Sequence, residues 1–215
     1  MNETLRLYRD LVLEKNRYLN LTAIKNEAEF DERNIADSLI IRDFHTFQPG
    51  EKVIDLGTGA GLPGIPIAIC EPDISVTLVD ARKKKIVFLK ELIQKLHLEN
   101  ADAVSARVED LAKDQAYRAK YDAVVTRAVA PLNVLLEYGI PFLKRDGLLF
   151  AYKGPKGDEE LKDAQRALKE LHTIHTKTHC YSIGDAALSI MVFEKRRETP
   201  EKYPRAPGVP SKRPL

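Results

Sequence analysis

The feature that most constrains the fold is a glycine-rich loop that directly follows a short apolar segment. The stretch VIDLGTGAGLPGIPIAI, residues 53–69, has glycine at three alternate positions, Gly57, Gly59 and Gly61. Glycine suits a backbone that turns tightly and that another group approaches closely, because it lacks a Cβ atom and adopts positive φ readily. The loop therefore predicts a strand, a tight turn and a helix in succession, with a ligand near the turn.

Downstream of the loop, short apolar runs alternate with amphipathic ones. This pattern predicts strands at residues 52–56, 75–80, 101–106, 121–128 and 146–154, with helices between them at 63–70, 82–98, 132–143 and 158–171. Two more β-rich runs, 173–181 and 187–195, are joined by a short turn and must be antiparallel. The expected fold is therefore α/β: a doubly wound, mostly parallel seven-stranded sheet of Rossmann-like type.

The two ends of the chain differ in composition from this middle part. Residues 1–48 are expected to form an N-terminal helical extension, because apolar residues recur there at helical spacing. Residues 49–196 are expected to form the Rossmann-like domain. Residues 197–215 form a basic, proline-rich tail, and its five prolines predict an extended, poorly packed segment.

The distribution of charge favours a polyanionic partner. The 215-residue chain has a formal net charge of +2. From Lys195 to Leu215, however, seven Lys or Arg stand against two Glu, so the rest of the chain is slightly acidic. A basic tail on a mildly acidic body favours binding to RNA, and a merely solubilising terminus is the alternative.

Several function classes are disfavoured by what the sequence lacks. No apolar run approaches the roughly 20 residues that cross a bilayer, and the N-terminus has no apolar core of a signal peptide. We therefore expect a cytoplasmic monomer with no membrane association. Cys70 and Cys180 lie far apart, so we expect two free and mostly buried thiols.

A histidine cluster near residue 175 resembles a metal site at first sight. His172, His175 and His179 lie in HTIHTKTHCY, a threonine-rich run that is typical of a strand. In a strand, His172 and His175 point to opposite faces, and His175 and His179 lie about 13 Å apart. We therefore expect no metal.

Two acids mark the ends of the first two predicted strands. Ligands of open α/β sheets bind outside the carboxyl ends of the strands, where the glycine loop also lies. Asp80, 25 residues after Asp55, is placed to accept hydrogen bonds from the ribose hydroxyls of a nucleoside cofactor. Asp55 is a candidate for contact with the cofactor's amine.

The loop favours S-adenosylmethionine over a nicotinamide dinucleotide. A dinucleotide prefers GxGxxG with its pyrophosphate at the helix N-terminus. Here the pattern is DxGxGxG followed by Leu62 and Pro63, and proline removes an N–H that would face a phosphate. S-adenosylmethionine carries no phosphate, and the terminal antiparallel strand pair fits the methyltransferase version of this fold. A dinucleotide oxidoreductase stays the weaker alternative.

Candidates for the rest of the site follow the third and fourth strands. Val108 and Glu109, after the third strand, are placed to hold the adenine, or they simply begin a helix. Arg127 ends the fourth strand, where the acceptor meets the methyl group, and a structural salt bridge is the alternative. The motif (D/N)PPY, which grips an exocyclic amine, is absent, so methylation of adenine N6 is disfavoured.

Eight cations are candidates for RNA contact. They comprise three at the start of the second predicted helix of the sheet domain, one after the fifth strand and four in the tail: Arg82, Lys83, Lys84, Lys153, Lys202, Arg205, Lys212 and Arg213. Positive charge at a helix N-terminus opposes the helix dipole, which favours a role in phosphate binding. A solvated helix end is the alternative for the first group.

The motifs just described occur together in a known family. NLTAI, ADSL, DLGTGAGLPGIP, LVDARKKK, ARVED, TRA, YKG and KYPRAPGVPSKRPL follow one another in this order. The chain resembles the RsmG family, also called glucose-inhibited division protein B, along essentially its whole length. The resemblance implies an S-adenosylmethionine-dependent enzyme that methylates N7 of guanosine 527 in 16S ribosomal RNA of the small ribosomal subunit.

The resemblance also implies roles for particular residues. Gly57 and Leu62 would contact the cofactor, Val108 and Glu109 would lie by the adenine, and Arg127 would face the active site. Asn34 and Ala81 depart from the family pattern, which often has histidine and serine at these positions. Neither change touches the glycine loop, although Asn34 cannot transfer a proton as histidine can.

The expected chemistry requires no general base. Guanine N7 carries a lone pair and no proton, so it attacks the sulfonium methyl directly. Catalysis then rests mainly on proximity and in-line geometry, which contribute up to about 7–11 kcal/mol. The alternatives are an RNA-binding module that keeps the cofactor as a structural ligand, and a methyltransferase with a small-molecule or protein acceptor.

Overall fold

The computed structural model describes residues 2–215, which divide into one unit ending at Ser105 and another beginning at Ala106. The seven strands follow the order β3-β2-β1-β4-β5-β7-β6 in one sheet. β1 is Lys52–Leu56, β2 Ser75–Asp80, β3 Ala101–Ser105, β4 Tyr121–Arg127, β5 Leu143–Lys153, β6 Thr173–Ile183 and β7 Ala186–Lys195. The predicted α/β fold with a seven-stranded, mostly parallel sheet is confirmed.

The first unit begins with an amphipathic helix, α1 (Glu3–Leu19). The Asn2 side chain accepts a hydrogen bond from the Leu5 amide and caps its start, and Asn20 ends it in the left-handed conformation at φ 48°. Leu5, Tyr8 and Val12 form its buried face. The Tyr8 hydroxyl donates to the Ala60 carbonyl at 3.2 Å, so this helix contacts the glycine loop.

A second, irregular helical run follows from residue 27 to residue 43. It contains α2 (Glu27–Phe30), a π-helical turn (Asp31–Ala36), α3 (Asp37–Leu39) and a 3₁₀ turn (Ile40–Asp43). A π turn inserts an extra residue and rotates the helix face that follows it. The face that follows buries Asp37, Ser38 and Ile41, whereas the apolar Leu39 is only half-buried.

In the first unit, β1 and β2 pair in parallel, as do β2 and β3. Each crossover is helical: α4 (Gly64–Cys70) follows β1, and α5 (Lys83–Lys95) follows β2. The inner strands are buried almost throughout, with Val53, Ile54 and Leu56 fully inaccessible to solvent. Burial on both faces explains why these segments read as apolar runs without alternation.

In the second unit, β4 and β5 are parallel, and β7 pairs antiparallel with both β5 and β6. Its helices are α6 (Val108–Leu111), α7 (Leu132–Gly139), α8 (Gly157–Asp163), α9 (Gln165–Glu170) and α10 (Val209–Lys212), with a 3₁₀ turn at Ile140–Phe142. The predicted antiparallel pair at the end of the chain is confirmed. The single helix predicted over 158–171 is divided at Ala164 into α8 and α9.

Two sequence-based expectations on packing are wrong. Cys180 is exposed on the strand β6, and Cys70 is only half-buried, so the two free thiols are not mostly buried. The tail is not extended and poorly packed. Tyr203, Pro210 and Leu215 are buried, and α10 forms near its end. Among the described residues, none of the helices has both the length and the apolar character needed to cross a bilayer.

Candidate functional site

The glycine loop forms a tight turn between β1 and α4. Gly57, Gly59 and Gly61 have φ of 70°, 61° and 97°, in the left-handed region that favours glycine. The amides of Gly57 and Thr58 both donate to the Val79 carbonyl, at 2.9 and 3.0 Å. The loop is therefore fixed against the end of β2, which is where the sequence placed the cofactor.

The glycines of this loop serve different purposes. A Cβ at Gly61 would lie 2.6 Å from Ile65 Cγ1, so Gly61 lets the loop pack on its own helix. At Gly59, the nearest atoms to a Cβ would be Lys85 Nζ at 3.6 Å and Gly57 O at 3.8 Å. Both are ordinary van der Waals distances, so glycine at this position is favoured by the left-handed backbone conformation and not by a lack of room.

Asp55, at the end of β1, stabilises the glycine loop by hydrogen bonds to its residues and to the start of α4. It is fully buried, and its Oδ2 accepts hydrogen bonds from Thr58 Oγ1 at 2.6 Å and from the Gly64 amide at 2.9 Å. Gly64 begins α4, so one carboxylate ties the end of β1 to the start of the next helix. The predicted contact of Asp55 with a cofactor amine stays a prediction. Leu62, a predicted cofactor contact, is itself 7% exposed.

Asp80 fixes the middle of the loop from the end of β2. Its Oδ2 accepts from the Gly59 amide at 3.2 Å and its Oδ1 from the Arg82 amide at 2.8 Å. Lys85 Nζ lies 3.6 Å from Oδ2. Each carboxylate oxygen has two lone pairs, so Asp80 keeps capacity to accept from ribose hydroxyls while it holds Gly59. The sequence analysis did not predict the ion pair between Lys85 and Asp80, although the separation of five residues in the chain could have suggested it.

The first turn of α5 carries exposed positive charge. Arg82, Lys83 and Lys84 are exposed, and within residues 2–215 no ion pair involves them. The first turn contains no acidic residue and no side chain caps it. Uncompensated cations at this end oppose the helix dipole, so the arrangement costs stability unless an anion binds there.

In the second unit, the segment predicted to hold adenine forms the short helix α6. Val108 begins it half-buried, and Glu109 is 5% exposed. Glu109 Oε1 accepts from the Gly208 amide at 2.9 Å. The pKa of Tyr138 is raised above its ordinary value, first by burial and second by the negative charge of Glu109. The Glu109 carboxylate is therefore directed to the C-terminal tail.

Arg127 lies where the sequence placed it, as the last residue of β4, and it is half-buried. It lies opposite Tyr152 in the β4–β5 register. The predicted role of Arg127 on the acceptor side stays a prediction.

Lys153, a predicted RNA contact, is mostly buried and bound by other groups of the protein. The side chain is 8% exposed, and its Nζ lies 2.7 Å from Glu160 Oε2 and 2.9 Å from the Ala130 carbonyl. Glu160 Oε2 also accepts from the Leu132 amide at 2.7 Å. The ammonium is thus used to hold the loop that follows Arg127. The sequence analysis did not identify Glu160 as the partner of Lys153, because Glu160 lies in a predicted helix with many charged residues.

The tail cations divide into two groups. Arg205 Nη2 lies 2.6 Å from Oε2 of the fully buried Glu137, whose hydrogen bonds raise the pKa of Arg205. Separating this pair would leave the buried Glu137 carboxylate without its counter-charge. The predicted contact of Arg205 with phosphate stays a prediction. Lys202 is exposed and pairs with Glu170 at 3.2 Å. Lys212 and Arg213 are exposed, and no ion pair of theirs is found among the described residues.

Comparison with known sequences gives a consistent result. The sequence profile of the GidB family, described as rRNA small subunit methyltransferase G, matches residues 1–189. The ribosomal RNA small subunit methyltransferase G of Pelotomaculum thermopropionicum is 47% identical over 213 residues, which cover 97% of this chain and 88% of that protein. The protein of the same name from Desulforamulus reducens is 43% identical over 220 residues, covering 100% and 91%.

Solved structures share the fold at low sequence identity. A protein of Bacillus halodurans, described as a putative methyltransferase, superposes with a TM-score of 0.59 and 13% identity, covering 75% of this chain and 100% of that one. The [4+2]-cyclase SpnF gives a TM-score of 0.62 at 12% identity over 88% and 95%. TYW2 of P. horikoshii, solved with MeSAdo, gives 0.57 at 16% identity over 75% and 62%. Because one of these proteins is a cyclase, this likeness shows the fold and leaves the reaction to the site.

Proposed function

The chain belongs to the rRNA small subunit methyltransferase G family, and from this membership we propose that it transfers a methyl group from S-adenosylmethionine to N7 of a guanosine in 16S ribosomal RNA. The structural observation that carries the proposal is the glycine loop, held between two acids at the ends of β1 and β2. The guanosine is the one that the family resemblance implies, and the substrate particle is the small ribosomal subunit or its RNA.

The residues around the loop fit this cofactor. Gly59 carries no side chain, so a bulky nucleoside can approach its backbone closely. Asp80 is positioned to accept from the ribose hydroxyls. Pro63 precedes α4 and has no backbone N–H to donate. A cofactor with a phosphate would need that donor, whereas a cofactor without phosphate does not. Gly57, Leu62, Val108 and Glu109 complete the proposed set of contacts.

When bound, the cofactor supplies an electrophilic sulfonium methyl. Guanine N7 attacks through its lone pair and releases no proton, so no residue of this chain has to act as a base. The protein's part is to align the acceptor nitrogen with the S–CH₃ bond. Arg127 is the proposed acceptor-side residue, since its planar guanidinium can hold a phosphate or the guanine O6. Lys153 holds the loop that follows Arg127, because its ammonium donates to the Ala130 carbonyl.

Contact with RNA is proposed for the cations that stay exposed: Arg82, Lys83, Lys84, Lys202, Lys212 and Arg213. The A-form major groove is too narrow to admit a side chain, so the target guanosine must lie in a loop or be turned out of a helix. The phosphate contacts would then hold the surrounding RNA while the base enters the site.

The test is a methyl-transfer assay with mapping of the product. Labelled S-adenosylmethionine is incubated with the protein and either small subunits or naked 16S RNA from a strain that lacks this activity. Reduction followed by aniline cleavage then locates any 7-methylguanosine. We expect one labelled guanosine in at least one of the two substrates.

A matched pair of variants ties the reaction to the site. Asp80→Ala removes the carboxylate that holds Gly59 and should abolish transfer, whereas Asp102→Asn alters an exposed acid on the neighbouring strand β3 and should leave it unchanged. Cofactor binding without transfer to any RNA would instead identify a binding module. Label in protein alone, or on an exocyclic amine, would reject N7 methylation.

A further inference from the structure

The C-terminal tail holds both ends of the short helix α6. At the start of α6, the Gly208 amide donates to Glu109 Oε1 at 2.9 Å. At its end, Arg118 Nη1 donates to the Ala112 carbonyl at 3.1 Å and to the Tyr203 carbonyl at 2.8 Å. One segment of the tail, residues 199–208, is therefore linked to both ends of α6.

Further contacts fix the tail itself. Arg118 Nη2 donates to the Thr199 carbonyl at 2.9 Å, and Arg205 forms its buried ion pair with Glu137 of α7. Burial raises the pKa of Tyr138, and Glu109 of α6 and Ser211 of α10 also shift it, so the Tyr138 hydroxyl lies near both side chains. The tail is held by several interactions that do not depend on one another.

Helix α6 cannot hold its own geometry. It has four residues, Val108–Leu111, whereas isolated helices shorter than about 12 residues are marginal even in favourable sequences. Its position must therefore come from tertiary contacts. The tail supplies backbone groups for them: its Gly208 amide donates to the buried Glu109 carboxylate, and its Tyr203 carbonyl accepts from the Arg118 guanidinium. Hydrogen bonds with a charged partner are strong and directional. The family profile ends at residue 189, so these contacts come from a part of the chain outside the matched region.

We propose that the tail, residues 199–215, is a positioning element for the cofactor, which holds α6 in the geometry that receives adenine. Glu109 is then a positioning residue: its carboxylate accepts from the Gly208 amide, and the adenine is met by the backbone of α6 and by Val108. This inference rests on the proposed function, because α6 is assigned to adenine as part of that proposal.

The first test removes the contacts to α6 while the other anchors stay. A chain that ends at Ala206 loses Gly208 and Ser211 but retains Arg205 and the carbonyls that Arg118 binds. If α6 then adopts its receptive geometry about a tenth of the time, the Kd for S-adenosylhomocysteine, measured by calorimetry, rises about tenfold. Methylthioadenosine should lose affinity by the same factor, since it shares the adenosine. The kcat at saturating cofactor and saturating RNA should change by about twofold or less, because the lost tail cations affect only RNA binding.

A control separates this effect from the loss of tail cations. Lys212→Gln together with Arg213→Gln keeps the backbone of the tail, so the Kd for S-adenosylhomocysteine should equal that of the intact chain. Tyr138→Phe, a milder change, removes only the hydroxyl near Glu109 and Ser211 and should raise the Kd about fivefold, the lower end of the usual coupling between linked sites. It also keeps the inference testable if the truncated chain does not fold.

The possible outcomes separate the two proposals. An intact chain that binds no S-adenosylhomocysteine overturns the proposed function. An intact chain that binds it, with unchanged Kd in Tyr138→Phe and in a folded truncated chain, overturns the positioning role alone. A rise in Kd for both adenosine ligands with nearly constant kcat supports it, because a general loss of stability would lower the active fraction without changing the affinity of the folded part.

Discussion

At the scale of single residues, the glycines of the loop are required for different reasons, some for packing and some for the approach of a ligand. Gly61 is enclosed by side chains of its own core, with Ile65 and Leu89 at the position of a Cβ. Gly59 has the same kind of backbone conformation, but a Cβ there would make only ordinary van der Waals contacts, and the proposed cofactor would approach this backbone. The first constraint concerns stability and the second concerns binding, so substitutions at the two positions should separate these properties.

Gly61→Ala should destabilise the protein severely. The new Cβ would lie 2.6 Å from Ile65 Cγ1, at a φ of 97° that L-residues rarely adopt. Overpacking and backbone strain together should lower the free energy of unfolding by about 3 kcal/mol or more. Chemical denaturation measures this loss, and a variant as stable as the parent would show that the loop can rearrange.

Gly59→Ala should cost much less stability and more binding. A φ of 61° lies in the narrow left-handed region open to other residues, so the cost should be about 1 kcal/mol. The methyl group would occupy the space proposed for the cofactor, and the Kd for S-adenosylhomocysteine should rise more than about tenfold, a loss of about 1.4 kcal/mol. Calorimetry on the folded variant measures it. Unchanged affinity would place the cofactor elsewhere.

At the scale of elements, buried ion pairs fix how loops meet strands and helices. Lys153 at the end of β5 and Glu160 of α8 are joined, and each also binds backbone of the segment between β4 and α7. The pair therefore determines the position of the loop after Arg127. Because Lys153 is almost completely buried, losing its partner leaves a charge that water cannot reach.

Single and double variants at this pair should differ in a characteristic way. Glu160→Gln leaves the Lys153 ammonium without its counter-charge and should cost about 3 kcal/mol of stability. Lys153→Met in addition should recover part of this loss, because no buried charge is left. A double-mutant cycle in denaturant measures the coupling. Strictly additive effects would mean that the pair contributes nothing as a pair.

The first turn of α5 should show opposite effects on stability and on RNA binding. Lys83→Gln with Lys84→Gln removes two charges that oppose the helix dipole, and should stabilise the fold by about 0.5 kcal/mol. The same change should weaken RNA binding and reduce its salt dependence by about one or two ions. Binding titrations at several salt concentrations test this. Lys90→Gln, an exposed charge in the middle of the same helix, is the control; an equal effect there would show that only net charge matters.

At the scale of the whole molecule, Lys195 makes stability depend on pH. This lysine is 2% exposed, with its Nζ 2.6 Å from the Leu143 carbonyl. Burial, followed by the charge of Arg118, lowers its pKa to about 8 from the ordinary 10.5. The folded state therefore binds the proton less tightly than the unfolded chain does. The resulting penalty is complete below the folded pKa and disappears as pH rises toward the unfolded one.

Lys195→Met should remove this dependence. From pH 7 to pH 10, the unfolding free energy of the parent should increase by about 2 kcal/mol relative to that of the variant. Denaturant titrations at several pH values measure it, with Lys177→Met on β6, an exposed lysine, as the control. A difference that stays constant with pH would mean that Lys195 keeps an ordinary pKa in the fold.

The success of the sequence-based predictions followed the range of the interactions involved. The strand β2 was predicted with its observed limits, and β1 likewise, because burial periodicity and glycine placement are local. The π turn at Asp31–Ala36 was missed, since it depends on how the helix packs and leaves no local signature. In the candidate site, Asp80 lies at the end of β2 beside the loop as expected, and this followed from the order of the elements alone.

The sequence by itself determined the alternation of strands and helices, the glycine loop and the acids beside it, because each depends on a few adjacent residues. Only the tertiary structure decided which charges are available to a ligand. Arg205 and Lys153, two predicted phosphate contacts, are paired with carboxylates in the fold, and the partner of Arg205 lies 68 residues away in the chain. A buried carboxylate captures the nearest cation whatever its sequence separation, because an unpaired charge in the interior is too costly. The same rule gives the tail its buried anchors.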